Sequence, residues 1–137
     1  DILYIMEENK MKHPENLVYS RSHEWVKFID ETTALIGITD YAQDALGDLV
    51  FVNLPEVGDE VRSGEPFGDV ESVKAVSDIF SPVTGTVAEI NEDLLDAPEN
   101  LNEDPYGAWM IKVENITDKE ELLDAAAYIA FYESEEA

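Results

Sequence analysis

The sequence predicts an all-β domain, a small sandwich or barrel with helices at its periphery. Many runs of about five residues are rich in β-branched and aromatic side chains, turn residues separate these runs, and long helical periods are missing between them. The chain has 137 residues, and its 45% hydrophobic content suffices for a single core. We therefore expect one domain over residues 11–137.

The predicted strands follow one another along most of the chain. The first two form a hairpin through Asp30 and Glu31, and Pro55 ends the third. Residues 57–64 predict turns around a brief strand, and residues 81–85 predict a further turn. The principal strands are predicted over residues 25–29, 32–38, 49–54, 66–70, 76–80, 86–90 and 109–113.

The predicted helices are few. Thr39 or Asp40 can cap a short internal helix of about two turns, which Gly47 ends. Residues 91–107 are polar and contain proline, so they predict a long surface loop. A capping-box pattern at residues 117–120 precedes a helical spacing of leucine and alanine, so one or two C-terminal helices are expected over residues 117–134.

The first ten residues share no obvious period with the rest of the chain. We therefore treat residues 1–10 as an N-terminal extension that need not belong to the natural protein. Within the domain, the expected core contains two tryptophans and several strand residues. These core residues are Trp25, Trp109, Phe51, Val52, Ile36 and Ile38.

The composition excludes several classes of function. Eight basic residues stand against 32 acidic residues, and the formal charge of −24 repels nucleic acids and anionic membranes while favouring basic protein partners. The absence of cysteine excludes disulfides, thiol nucleophiles and thiolate metal sites. The acidic clusters lack EF-hand spacing, so no metal site is predicted. We expect a cytoplasmic, bacterial protein rather than one of the mitochondrial matrix.

Lys74 is the basic residue that the strand pattern places at a hairpin tip. Residues 71–75 separate two short strands and are too few for anything but the turn of a hairpin. This position alone is also compatible with an ordinary solvated lysine. It equally suits a lysine that an enzyme must acylate, because such a side chain has to protrude from a rigid support.

A wider pattern surrounds Lys74 and consists of Gly58, Asp59, Glu60, Val61, Gly64, residues 71–75, Pro82, Gly85 and Val87. This pattern resembles the biotinyl/lipoyl-domain signature, in which a hairpin lysine receives a prosthetic group. Biotin carriers usually have methionine on both sides of the lysine, where this chain has Val73 and Ala75. The string Glu-Ser-Val-Lys-Ala is instead similar to the glycine cleavage H-protein family.

The resemblance to that family covers nearly all of residues 17–132. The similar segments are residues 22–25, 36–42, 46–48, 51–55 and 104–109, in the family's order. One departure is the single Ala108 between Gly107 and Trp109, where the family often has two residues. The resemblance therefore does not fix the geometry of this loop, although the assignment to the family stands.

The resemblance implies a lipoyl-domain-like barrel-sandwich hybrid and a monomeric carrier without catalytic activity, which bears lipoic acid in amide linkage on Lys74. It implies that the lipoyl arm takes an aminomethyl group from a pyridoxal-phosphate glycine decarboxylase. The arm then yields this group to a tetrahydrofolate-dependent aminomethyltransferase and is reoxidised by the flavoenzyme dihydrolipoamide dehydrogenase. A lipoate-attaching enzyme is the fourth implied partner, and the dithiolane would supply redox chemistry that a chain without cysteine lacks.

The resemblance also implies roles for five further residues. Glu71 and Gly85 match positions used in recognition by the lipoate-attaching enzyme, although Glu71 could be a solvated charge and Gly85 a turn glycine with positive φ. Ser22, Glu24 and Asp78 match positions of a cleft that holds the amine of the loaded arm by charge-assisted hydrogen bonds.

Both the cleft and the overall function have alternatives. Ser22 and Glu24 are expected on one face of a strand, where they could simply be surface residues, and His23 and His13 are expected to be structural. A biotin acceptor of a carboxylase remains a second hypothesis. A third keeps the lipoyl site in a protein that relays lipoate to other complexes. An enzyme with Glu71 and Asp78 as an acid–base pair would need a substrate cleft, which a convex hairpin tip does not suggest.

Overall fold

The computed structural model describes residues 11–136, which form nine strands and four helices. The strands are β1 (Val18–Tyr19), β2 (Glu24–Asp30), β3 (Thr33–Ile38), β4 (Leu49–Asn53), β5 (Glu60–Val61), β6 (Pro66–Ser72), β7 (Val76–Phe80), β8 (Val83–Ile90) and β9 (Ile111–Lys119). The helices are α1 (Asp40–Leu46), α2 (Asp93–Asp96), α3 (Asn100–Glu103) and α4 (Ala125–Glu136). The predicted extension over residues 1–10 lies outside the described residues.

The strands form two antiparallel sheets, which confirms the predicted fold class. The larger sheet has six strands in the order β1-β2-β3-β9-β8-β5, and the smaller has three in the order β4-β6-β7. Both orders are linear over the described residues, so the architecture is a pair of sheets rather than a closed barrel. The smaller sheet carries the β6–β7 hairpin, and Lys74 lies at its tip.

Both sheets contribute to one apolar core. Strand β8 shows how the sequence builds it, because Val83 and Val87 are fully buried and alternate with more exposed residues, as the two-residue period of a strand requires. From the smaller sheet, Val70 and Ile79 are buried in the same cluster. The small sheet and its hairpin are therefore fixed to the large sheet by shared apolar packing.

The internal helix is as predicted. The Thr39 side chain accepts a hydrogen bond from Ala42 N–H at 3.1 Å and so caps α1. Gly47 ends the helix with φ +83°, a conformation that side chains disfavour. The helix therefore begins and ends at the residues whose chemistry predicts those boundaries.

The prediction of a long surface loop over residues 91–107 is wrong. Two four-residue helices, α2 and α3, occupy part of this segment, and each has one leucine that is fully buried in the core, Leu94 and Leu101. A helix with a single buried residue has no repeat that a search for periodicity can detect. The turn predicted over residues 81–85 is also shorter than expected, because β8 already begins at Val83.

The C-terminal helix begins later than the capping-box pattern predicts. Strand β9 continues through Lys119, which pairs with Val83 of β8, so the sheet takes the residues that were expected to cap a helix. Helix α4 instead begins at Ala125, and Asp124 Oδ1 accepts a hydrogen bond from Ala127 N–H at 2.8 Å. Its buried residues are Ala125, Tyr128 and Tyr132, which pack on a second apolar cluster with Tyr19 and Trp25.

The predicted core is largely confirmed, with one clear error. Trp25, Ile36, Ile38 and Val52 are buried, and Trp109 is half-buried. Phe51, however, is 62% exposed, because it lies on the outer face of the smaller sheet while its neighbour Val52 faces the core.

Candidate functional site

The Lys74 hairpin is held by hydrogen bonds at its base and tip. Ser72 N–H donates to Ala75 O at 2.8 Å, and the Ser72 hydroxyl oxygen accepts from the N–H groups of Lys74 and Ala75, each at 3.1 Å. At the tip, Val73 N–H donates to Asp48 O at 3.3 Å and so ties the hairpin to the segment after α1. Lys74 itself is exposed, so a flexible amine stands on a fixed turn.

The side chain of Lys74 lies close to Gly47, which ends helix α1. A Cβ atom at this position would lie 3.2 Å from Lys74 Cε and 3.7 Å from its Nζ. A side chain here would therefore crowd the lysine as well as strain the backbone. Sequence reasoning identified Gly47 only as a helix end, since its contact with Lys74 depends on the tertiary structure.

Glu71 and Gly85 lie in different sheets. Glu71 is half-buried in β6, between Phe51 of β4 and Val76 of β7. Gly85 lies in β8 opposite Val61, in the sheet that does not carry the hairpin. Of the two residues, only Glu71 lies in the same sheet as the lysine hairpin.

The expectation that Gly85 could require a positive φ is wrong. The glycines with positive φ among the described residues are Gly47, Gly58 and Gly64. At Gly85, a Cβ atom would instead lie 2.6 Å from both Glu114 O and a methyl group of Val113. Glycine is required there because β8 and β9 approach too closely for a side chain.

Glu24 is a buried carboxylate surrounded by hydrogen-bond donors. Its side chain is only 1% exposed, so the alternative of an ordinary surface residue is wrong. Ser20 Oγ donates to Oε1 at 2.6 Å and Ser22 Oγ at 2.5 Å, while Phe80 N–H donates to Oε2 at 3.3 Å. Burial raises the pKa of Glu24 to about 7, although these three hydrogen bonds act in the opposite direction.

The turn before Glu24 brings the two serines to its carboxylate. Ser22 lies in this turn rather than in β2, so it does not share a strand face with Glu24 as expected. His23 adopts φ 75°, which a residue with a side chain rarely does. Its Nδ1 lies 2.8 Å from the Tyr128 hydroxyl, and that hydroxyl lies 2.8 Å from Thr39 Oγ1.

The two histidines take structural positions. His13 Nε2 lies 2.8 Å from the Tyr132 hydroxyl and its Nδ1 lies 3.0 Å from the Tyr106 hydroxyl, so it joins α4 to the loop before β9. Burial lowers the pKa of both His13 and His23, which favours the neutral imidazoles. Among the described residues no group of three or more potential ligands could hold a metal ion.

A cleft of about 140 Å³ lies beside the buried carboxylate. Its lining brings together the three predicted residues Ser22, Glu24 and Asp78. Asp78 is exposed in β7. Its neighbour Ser77, the register partner of the buried Val70, also lines the cleft and was not predicted from the sequence. Apolar side chains complete the lining, among them Ile38, Ala42, Leu46 and Ile79. A site with two carboxylates and the hydroxyl residues Ser22, Ser77 and Tyr41 among apolar groups suits a small cation on an apolar stem.

The helices of the described residues include none with the length and hydrophobicity that a transmembrane span requires.

Comparison with known proteins places this architecture in a family. The model of the family described as glycine cleavage H-protein matches residues 17–135. The chain is similar to a glycine cleavage system H protein of Lachnoclostridium phytofermentans, with 63% identity over 91% of this chain and 98% of that protein. It is also similar to a probable glycine cleavage system H protein of Pyrococcus abyssi, with 50% identity over 95% of this chain and 99% of that protein.

A solved structure supports the same assignment. The crystal structure of a glycine cleavage system H protein from Mycobacterium marinum superposes with a TM-score of 0.82. The two sequences are 40% identical, and the alignment covers 88% of this chain and 98% of the other. The two-sheet fold is therefore that of the solved relative.

Proposed function

The chain belongs to the glycine cleavage H-protein family, and from that premise we propose that it is the carrier that bears lipoic acid on Lys74 and shuttles the aminomethyl group of glycine. One observation carries the proposal: Lys74 is exposed at a hairpin tip whose backbone is fixed by Ser72 and by Asp48 O. This arrangement gives an attaching enzyme access to the amine while the base of the arm stays in a defined place.

The residues around Lys74 fit an amide-linked arm. Acylation of Nζ by the lipoate carboxyl forms an amide and removes the ammonium charge, and the exposed side chain needs no compensating partner for this change. The small side chain of Ala75 and the absence of a side chain at Gly47 leave room around the lysine. When attached, the dithiolane supplies the sulfur redox chemistry that a chain without cysteine lacks.

We propose that the cleft beside Glu24 holds the amine carried by the arm. A primary amine is protonated at neutral pH and would donate hydrogen bonds to the Glu24 carboxylate and to the oxygens of Ser22 and Asp78. The pKa of Glu24, about 7 without a bound cation, would fall when an ammonium binds, because a nearby positive charge favours the ionised carboxylate. The apolar lining would keep water from the bound group.

The partners follow from the proposed shuttle. They are the pyridoxal-phosphate glycine decarboxylase, the tetrahydrofolate-dependent aminomethyltransferase, dihydrolipoamide dehydrogenase and the lipoate-attaching enzyme. The charge of −24 suits docking to basic surfaces on these enzymes. We propose that the chain acts as a monomer in the cytoplasm and does not itself catalyse a reaction; the bacterial and archaeal sources of its relatives support this location.

Intact mass spectrometry after incubation with a purified lipoate ligase, lipoate and ATP tests the attachment. We expect a single lipoyl addition, which peptide mapping assigns to Lys74. Lys74→Arg should abolish the addition, whereas Lys27→Arg, which changes another exposed lysine, should leave it intact. No addition to the wild type, or a biotin addition by a biotin ligase instead, would contradict the proposal.

A reconstituted glycine cleavage assay tests the shuttle. The lipoylated wild type should support glycine-dependent release of carbon dioxide with the decarboxylase, and Lys74→Arg should not. Glu24→Ala should speed the loss of the methylamine group from the loaded protein, because the group would lose its carboxylate partner. An unchanged rate of loss would reject the role of Glu24, and a lipoylated protein that is inactive with glycine would reject the shuttle.

A further inference from the structure

Three large apolar side chains are exposed around the lysine hairpin. Phe51 of β4 is 62% exposed and Val76 of β7 is 65% exposed, and both are register partners of Glu71 on β6. Val73, next to Lys74 at the tip, is 73% exposed. Single exposed apolar residues are common on protein surfaces, but three that cluster by register and by sequence at one site favour a binding surface.

Carboxylates border this apolar group on the side away from the tip. Asp69 and Asp78 are register partners in the next row of the same face, two residues along each strand. Asp69 accepts a hydrogen bond from Asn53 at 2.6 Å. Within residues 11–136, neither aspartate nor Glu71 takes part in an ion pair. Before the arm is attached, these carboxylates, including Asp78 at the edge of the cleft, are therefore available to basic groups of another molecule.

We propose that this outer face of the smaller sheet, with Phe51 and Val76 as anchors and Asp69 and Asp78 as a charged border, docks the enzyme that attaches lipoate. The inference rests on the proposed function and names the surface by which one of its partners recognises the chain. The fitting partner surface has an apolar pocket for the phenyl ring and lysine or arginine residues beside it.

Position and timing both favour the attaching enzyme as the occupant. Phe51 is the register partner of Glu71, and the three residues from Glu71 to Lys74 span at most about 10 Å. That distance falls within a standard interface, which covers about 800 Å² of each partner. The attaching enzyme acts before an arm exists, so it can recognise only the side chains of the chain itself.

The rate of lipoylation by a purified lipoate ligase, with lipoate and ATP, tests the docking face. Phe51→Ser should lower kcat/KM by about tenfold, mainly by raising KM, because exposed aromatic anchors dominate binding energy at interfaces. Val57→Ser is the matched control: Val57 is also 62% exposed but lies in the turn between β4 and β5. This control should stay within about twofold of the wild type. Circular dichroism and the thermal midpoint verify that both variants are folded.

The salt dependence tests the charged border. With Asp69→Asn and Asp78→Asn combined, kcat/KM should fall less steeply as salt is raised from about 50 to 300 mM than it does for the wild type. The control combines Glu114→Gln and Asp118→Asn, which remove two exposed charges from β9, and should keep the wild-type slope.

The outcomes separate the two proposals. If the wild type is lipoylated and Phe51→Ser reacts as fast as Val57→Ser, the docking face is wrong while the carrier function stands. If the wild type is not lipoylated, the carrier function fails and the docking face fails with it. A selective loss in Phe51→Ser, together with the flatter salt profile, supports the docking face.

Discussion

Replacing Glu24 by glutamine should make the stability of the protein less sensitive to pH. Burial raises the pKa of Glu24 from 4.5 to about 7, so between these values the folded protein holds a proton that the unfolded chain releases. Stability is therefore lost as pH rises through this window. Glutamine has the same shape, stays neutral and can still accept the hydrogen bonds from Ser20 and Ser22.

The expected change in the free energy of unfolding follows from the size of the pKa shift of Glu24. A shift from 4.5 to about 7 corresponds to about 3 kcal/mol, because each pKa unit is worth about 1.36 kcal/mol. The hydrogen bonds from the two serine hydroxyls oppose this shift, and the value of about 7 is the net result of burial and these bonds. Between about pH 5 and pH 8 the free energy of unfolding of the wild type should fall by roughly 2 to 3 kcal/mol. The Glu24→Gln variant should not show this fall.

Urea unfolding followed by tryptophan fluorescence measures this difference, since Trp25 is buried. Glu65→Gln is the control, because Glu65 is exposed and its replacement changes the net charge equally. We expect the control to follow the wild type and Glu24→Gln to diverge from it as pH rises. Parallel profiles for all three proteins, or a carboxyl NMR titration of Glu24 with a midpoint near 4.5, would refute the reasoning.

Three further predictions concern residues that stabilise the fold around the site. Tyr128→Phe removes the hydroxyl between His23 and Thr39 and should cost about 1 to 3 kcal/mol in urea unfolding; an unchanged midpoint would contradict this. Gly85→Ala should cost about 1 to 3 kcal/mol because its Cβ would lie 2.6 Å from β9, so a thermal midpoint equal to that of the wild type would be evidence against the close approach. The pKa values of His13 and His23 are lowered, so their contribution to stability is present above 6.5 and is lost as pH falls below it. Amide exchange in α4, corrected for intrinsic rates, should therefore accelerate in mild acid, and constant protection would argue otherwise.

The sequence predicted elements whose signals are local. The two-residue alternation of strands, the Thr39 cap and the Gly47 helix end all act within a few residues, and the structure has them as expected. The capping box at residues 117–120 failed because pairing with β8 outweighs a local preference for helix. Leu94 and Leu101 gave no pattern, because each helix buries only one leucine.

The same distinction applies to the site. Lys74 could be predicted because a hairpin tip is a local feature, and its five-residue context resembles one family. The burial of Glu24 could not, since Phe80, which donates to its carboxylate, lies 56 positions away. Its candidate role came from the family resemblance alone. Ser20 and Ser77 have no signal of their own, because serines at turns and in strands are ordinary residues.

The hydroxyl of Tyr128 contacts one residue near the cleft and the cap residue of the helix that ends at the lysine. Its hydroxyl contacts His23, whose left-handed backbone conformation costs roughly 1 to 2 kcal/mol and belongs to the turn that places Ser22 beside Glu24. The same hydroxyl contacts Thr39, the cap of α1, and α1 ends at Gly47 against the Lys74 side chain. A change in the packing of α4 would thus act on the carboxylate through His23 and on the lysine through α1. The C-terminal helix contributes no side chain to the cleft lining, but its Tyr128 hydroxyl contacts both the turn before Glu24 and the cap of α1.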